Sequence, residues 1–180
     1  MQDNQREELI YLAGLFDGEG TIGINSRYSN KHLHGQTDMG YAPYIRIGMN
    51  DEKSIRNVAE FFKVGHYYPE KQYKGYRAMH RWDCRNSKDT KTVLLMLEPF
   101  LRLKKPQAHL ALKFLEECMR PIGVRIGIPF TPEMVKKRYS FFIKMKELNG
   151  VDISLYPDVY SPATTKRMGR PLSIRSQAIV

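Results

Sequence analysis

Two hydrophobic rhythms alternate along this chain. From Glu7 to Phe16 the run EELIYLAGLF is apolar on several sides, as in a helix packed against more than one neighbour, and it predicts a helix over residues 7–18. Past Gly20 the rhythm shortens to two. TIGINSR sets Ile22 and Ile24 against Thr21, Gly23, Asn25 and Arg27, and YIRIGMN sets Ile45 and Ile47 against Tyr44 and Arg46, the pattern of strands with one apolar and one polar face. The helical rhythm returns in NDEKSIRNVAEFFKVG. There Asn50 or Asp51 is placed to cap, Ile55, Val58, Ala59 and Phe62 form a stripe, and Gly65 lies past the end. GHYYPEKQY and YRAMHRWDCRN predict two more strands, turned around Lys74 and Gly75. Ser87 is read as the cap of a helix through TKTVLLMLEPFL, and Pro106 as part of the first turn of PQAHLALKFLEECM. Thr131-Pro132 then opens a last helix reaching about Asn149-Gly150.

The order α-β-β-α-β-β-α-α with a further C-terminal helix predicts the α+β class. Its strands, all within residues 21–86, are expected to form a four-stranded antiparallel sheet backed by helices on one face. A chain of 180 residues suffices for one domain with a substantial core and is short for two, so residues 1–150 are expected to form one domain. Residues 151–180 change character, with three prolines and little periodicity, and from Ser161 onward they carry Lys166, Arg167, Arg170 and Arg175 with no acid. This is read as a basic extension. Within it KRMGRP is reminiscent of the Gly-Arg-Pro core of minor-groove AT-hooks, but Met168 interrupts the usual context, and a solvated basic tail is the plainer reading.

Charge sharpens the picture. Lys and Arg number 29 against 19 Asp and Glu, a formal net charge of +10, which points to a polyanionic partner, nucleic acid ahead of an anionic membrane. No apolar run approaches the roughly 18 residues of a membrane span, so no membrane insertion is expected. Cys84 and Cys118 form no Cys-x-x-Cys pair, which argues against a disulfide framework or a thiolate metal site and suits an intracellular home, cytoplasm or organelle.

The predicted sheet carries that charge in an informative form. Residues 66–88 hold six Lys or Arg against two acids, interleaved with tyrosines and Trp82. Alternation puts Trp82 and Cys84 on one side and Arg81, Asp83 and Arg85 on the other, level with Asn25, Arg27, Tyr44 and Arg46 of the earlier strands. The remaining candidates on this polar face are Tyr68, Glu70, Gln72 and Arg77. Phosphate binding needs only cations, whereas base-edge readout uses Arg for guanine, Asn or Gln for adenine and acids for cytosine. This face has both kinds. An antiparallel sheet also turns a charged face to water in many proteins that bind nothing there.

The first helix ends unusually, in LAGLFDGEG. Gly14 and Gly18 stand one turn apart with Ala13 beside them. Each glycine costs about 1 kcal/mol relative to alanine inside a helix, a cost that close backbone packing against another helix, of this chain or of a second copy, can offset. Asp17 and Glu19 lie at the negative end of the helix dipole. If a two-fold partner brings a second Glu19 near, two charges ~4 Å apart at an effective dielectric of ~20 repel by about 4 kcal/mol. A hard divalent cation compensates such repulsion and suits phosphodiester cleavage.

LAGLFDGEG resembles the signature of the LAGLIDADG homing endonuclease family, and EPFLRLKKPQAHLALKFLE resembles the segment that follows the sheet in its single-motif members. The resemblance runs from about Glu7 to Asn149. It implies a homodimer joined through Ala13, Gly14, Asp17 and Gly18, with Glu19 of each subunit as the catalytic, metal-binding acid and Asp17 as a cap on the neighbouring helix. It implies a Mg²⁺-dependent hydrolase, with Mn²⁺ as substitute and Ca²⁺ as a binder without cleavage. Such an enzyme cuts both strands of a long pseudo-palindromic double-stranded DNA across the minor groove and leaves short 3′ overhangs. Lys104 matches the basic residue near the phosphate or its water. A polar position at the end of the second strand falls on Met49 or Asn50, of which only Asn50 could orient water, and a further basic position falls on Lys53 or Arg56. The alternative is a non-cleaving maturase that binds its host intron RNA. A transcription regulator would bring an added helix-turn-helix, for which the last helix alone leaves no room.

Overall fold

The computed structural model describes residues 3–28, 39–71, 75, 77–119 and 130–156, with the side chains of Arg27, Tyr28, Met39 and Leu155 left aside. Gln72, the basic extension beyond Tyr156 and its KRMGRP stretch lie outside the described residues.

The elements run in the expected order: α1 (Asp3–Glu19), β1 (Gly20–Tyr28), β2 (Met39–Met49), α2 (Glu52–Phe62), β3 (His66–Pro69), β4 (His80–Cys84), α3 (Ser87–Leu97), α4 (Lys105–Glu117) and α5 (Pro132–Leu148), followed by a 3-10 turn, Ile153–Leu155. The strands form one antiparallel sheet in the order β1-β2-β4-β3. Its apolar face is the one the alternation requires: Ile22, Ile24, Ile45, Ile47, Trp82 and Cys84 are all buried. The five helices cover it, α1 with Leu9, Leu12, Ala13 and Phe16, α2 with Ile55, Val58 and Phe62, and α3, α4 and α5 with Leu94, Phe114 and Phe142 among others. Each large side chain so buried contributes about 1.5–3 kcal/mol. Trp82 is the centre. Its ring meets Phe16 edge-on at 6.0 Å and its Nε1 donates to the Val64 carbonyl at 2.9 Å. That contact requires Gly65, whose φ is +81° and where any Cβ would come within 2.7 Å of the indole.

Two local readings change and one open alternative is decided. The cap of α3 is Asn86, whose side chain accepts from Lys88 N and Asp89 N, and Ser87 is the first helical residue. Both are good cap formers, and the neighbour with extended backbone takes the role. Asp51 rather than Asn50 caps α2, accepting from Ser54 N at 2.9 Å. β3 and β4 are also shorter than their sequence runs, so Arg77 is exposed outside both strands. No described helix is long and apolar enough to cross a membrane.

Candidate active site and nucleic-acid interface

The end of α1 is built by two tight junctions. β1 begins at Gly20 directly after the helix, and a Cβ there would lie 2.7 Å from the Phe16 carbonyl, so only glycine permits the immediate switch from helix to strand. Asp17 is the second junction. Its Oδ2 accepts from Arg102 N at 2.7 Å and its Oδ1 from Lys104 N at 2.8 Å, while the Lys104 ammonium donates to the Asp17 carbonyl. Partial burial pushes the Asp17 carboxyl up. The backbone N–H groups of Arg102, Lys104 and Leu103 and the Lys104 charge outweigh it, and the group is held below the usual carboxylate range. Lys104 in turn places a cation on the negative end of α1. Asp17 is therefore a cap for the segment that enters α4 of its own chain.

Glu19 is left. It is exposed, on the last residue of α1, with no hydrogen bond or ion pair among the described residues. Gly20 pairs with Ile47, so Met49 and Asn50 leave the sheet at the same end as Glu19. Met49 packs against the core and Asn50 is exposed, which makes Asn50 the polar group available there. Of the two basic alternatives, Arg56 is bound to Glu52 at 2.7 Å and lies 4.3 Å over the Tyr67 ring, whereas Lys53 is exposed. No group of three or more His, Cys, Asp or Glu close enough to share a metal ion occurs among the described residues. One carboxylate cannot complete the six or more oxygens of a Mg²⁺ or Ca²⁺ shell. The donor type suits such an ion, whose remaining positions water and phosphate oxygens would fill.

The outer side of α1 is open. Gly14 and Gly18 are exposed, and a Cβ at either would meet nothing within 4 Å. Ile10 and Tyr11, 48% and 52% exposed, extend the same surface. The helix that could have filled this groove from within the chain is not there among the described residues. Ala13 does not belong to the stripe: it is fully buried on the core side of α1.

The polar sheet face carries Thr21 and Asn25 on β1, Tyr44 and Arg46 on β2, Arg81 and Asp83 on β4, and His66 and Tyr68 on β3, with Glu70 beyond. Arg27 occupies its expected backbone position on β1. Tyr44 lies across Gly23, where a Cβ would come within 2.6 Å of the ring, so the glycine makes room for the aromatic. The charges pair with one another. Arg81 meets Glu70 at 2.6 Å, and Asp83 meets Arg85 at 2.7 Å and Arg46 at 3.6 Å. Asp83 is consequently buried, 4% exposed, and not the free acceptor that cytosine readout requires. His66 was missed as a member of this face, and Thr21, placed on it by the alternation, was not named as a candidate contact. Their place in the alternation, two residues from Gly23 and Tyr68, was the available signal.

Residues 12–113, more than half of the chain, match the LAGLIDADG endonuclease family, and the chain belongs to it. A comparison with curated proteins found no match. Among solved structures, the chain is similar to the homing endonuclease I-CvuI in complex with its target in the presence of calcium (16% identity, TM-score 0.66, covering 92% of this chain and 94% of that one). It is also similar to the archaeal intron-encoded homing endonuclease I-Vdi141I complexed with DNA (11% identity, TM-score 0.64, 89% and 93%) and to the homing endonuclease I-TnaI (18% identity, TM-score 0.59, 88% and 93%). At these identities the likeness is one of fold: a four-stranded antiparallel sheet backed by helices.

Proposed function

We propose that this chain is a site-specific double-strand DNA endonuclease that acts as a homodimer with a divalent metal, Mg²⁺ in the first instance. The observation that carries the reading is the contrast between two acids two residues apart. Asp17 is consumed by backbone N–H groups, and Glu19 is free at the end of a helix whose glycine stripe is uncovered. A second copy packed along Gly14 and Gly18 supplies the second Glu19, and the pair of carboxylates holds the cation. A bound divalent cation supplies charge neutralisation at the phosphate and a more acidic water. Lys104 places a further positive charge beside the phosphate, and Asn50 hydrogen-bonds water at the same end of the sheet. The sheet face holds the duplex through Arg46, Arg81, Arg85 and their neighbours, with cleavage across the minor groove that leaves short 3′ overhangs. Support for a DNA partner comes from the relatives I-CvuI and I-Vdi141I, both described in complex with DNA.

The test is incubation of the full chain with Mg²⁺ and the uninterrupted allele of its host gene, read for a double-strand break. A break in this DNA that disappears with EDTA is expected. Absence of cleavage together with tight, specific binding of the host intron RNA would replace the nuclease with a maturase.

A further inference from the structure

Asp83 is almost entirely covered although it lies on the face opposite the core. Its cover is its own set of partners. The register brings Arg46 and His66 to either side of it. Its Oδ2 accepts from Arg85 Nε at 3.1 Å and Nη2 at 2.7 Å and from the Tyr68 hydroxyl at 3.1 Å, and Arg46 Nη2 lies 3.6 Å away. A buried carboxylate is tolerated only while it is paired, so the constraint runs outward and falls on the partners. Arg46 is held from a second side as well, its guanidinium 5.5 Å over the Tyr44 ring that lies across Gly23. The Nε atoms of Arg46 and Arg81 are buried without a hydrogen-bond partner, whereas the side chains of Arg46 and Arg85 are 28% and 43% exposed and keep N–H groups beyond those turned to Asp83.

We propose that Asp83 is a positioning residue for sequence recognition: it fixes Arg46 and Arg85 so that their free N–H edges meet guanine at set positions, and it reads no base itself. The inference rests on the sheet being the DNA interface. An arginine already held in place loses little freedom on binding and presents its planar fork at one angle, which favours the paired acceptors of guanine. A released arginine reaches the nearest phosphate instead, which adds affinity without base discrimination and raises the dependence on salt.

The experiment is selection from a pool of randomised duplexes by the full chain at two salt concentrations, for the wild type, Asp83→Asn and Asp83→Glu. The wild type is expected to select guanine at particular positions. Asp83→Asn should lose about tenfold in preference there, the worth of one arginine–guanine pair, and keep its preferences elsewhere. Its binding should also fall more steeply with salt, and Asp83→Glu should recover part of the guanine preference. Unchanged guanine preference in Asp83→Asn overturns the inference, as does an equal loss at every position, the mark of a purely structural role. Should Asp83→Asn not fold, Tyr68→Phe removes one hydrogen bond and leaves the carboxylate and both arginines. It should cost about threefold at the same positions, and no change at those positions overturns the inference. A wild-type pool without any sequence preference removes the reading of the sheet itself, and the inference with it.

Discussion

The outer side of α1 and the polar face of the sheet are both surfaces of one small fold, yet they are finished to different degrees. On the sheet nearly every charge has a partner within the chain: Arg81 has Glu70, and Arg46 and Arg85 share Asp83. On α1 the glycines face open space and Glu19 has no partner among the described residues. In the proposed reading, recognition is prepared inside one chain and the chemistry waits on a second copy. The reason is physical. Opposite charges on neighbouring strands satisfy one another locally, whereas the Glu19 carboxylate, at the negative end of a helix, meets no cation among the described residues.

Changes at the unfinished surface are expected to have the largest effects. Glu19→Gln should lower cleavage by on the order of 10³-fold while leaving duplex affinity within about twofold, because it removes a metal-binding charge and touches neither fold nor sheet. A plasmid-cleavage assay beside a gel-shift titration measures both. Lys104→Ala should slow the bond-breaking step by about a hundredfold in single-turnover kinetics with little change in affinity. A large loss of binding would instead mark Lys104 as a phosphate anchor. Gly18→Ala separates folding from association. In the isolated chain the added methyl meets nothing, so stability should stay level or rise by up to about 1 kcal/mol in thermal melts, while dimer formation in sedimentation experiments weakens.

Smaller effects are expected where the surface is already complete. Asp17→Asn should destabilise the fold by about 2 kcal/mol near neutral pH through loss of two charge-assisted N–H bonds. The sign with pH follows from the lowered pKa: the contribution of Asp17 is full above the ordinary carboxylate range and is lost as pH falls through its depressed folded value. Wild-type stability should therefore fall more steeply on acidification than that of Asp17→Asn. Arg85→Gln should lower the melting temperature by a few degrees, because it removes two of the hydrogen bonds that pair the buried Asp83, and should weaken guanine preference at one position in a selection from randomised duplexes.

What could be read from the sequence follows the same division. The order of elements and both faces of the sheet were legible because periods of two and 3.6 are local. Glu19 and Gly14 with Gly18 stood out because each breaks a local rule, a charge against the dipole and glycine inside a helix. What depends on distant pairing was not legible. Asp83 is buried because β2 and β3 bring Arg46 and Tyr68 beside it, and Asp17 is consumed only because the turn before α4 returns to α1. Ala13 looks equivalent to its glycine neighbour in the string, yet one step around the helix carries it from the open stripe into the core. The ends of β3 and β4 escaped for a related reason: polar alternation continues past the point where a partner strand stops.

The measurement that bears most directly on a site shared between two copies is cleavage by wild type and Glu19→Gln co-expressed in equal amounts. If each reaction needs a carboxylate from both subunits, random pairing leaves about one quarter of the dimers active and the mixed dimers neither cut nor nick, so total strand scission, nicks included, should fall to about one quarter of that of an all-wild-type sample. Activity of about one half would mean that each chain cuts on its own, and would contradict the assembly of the site from two copies.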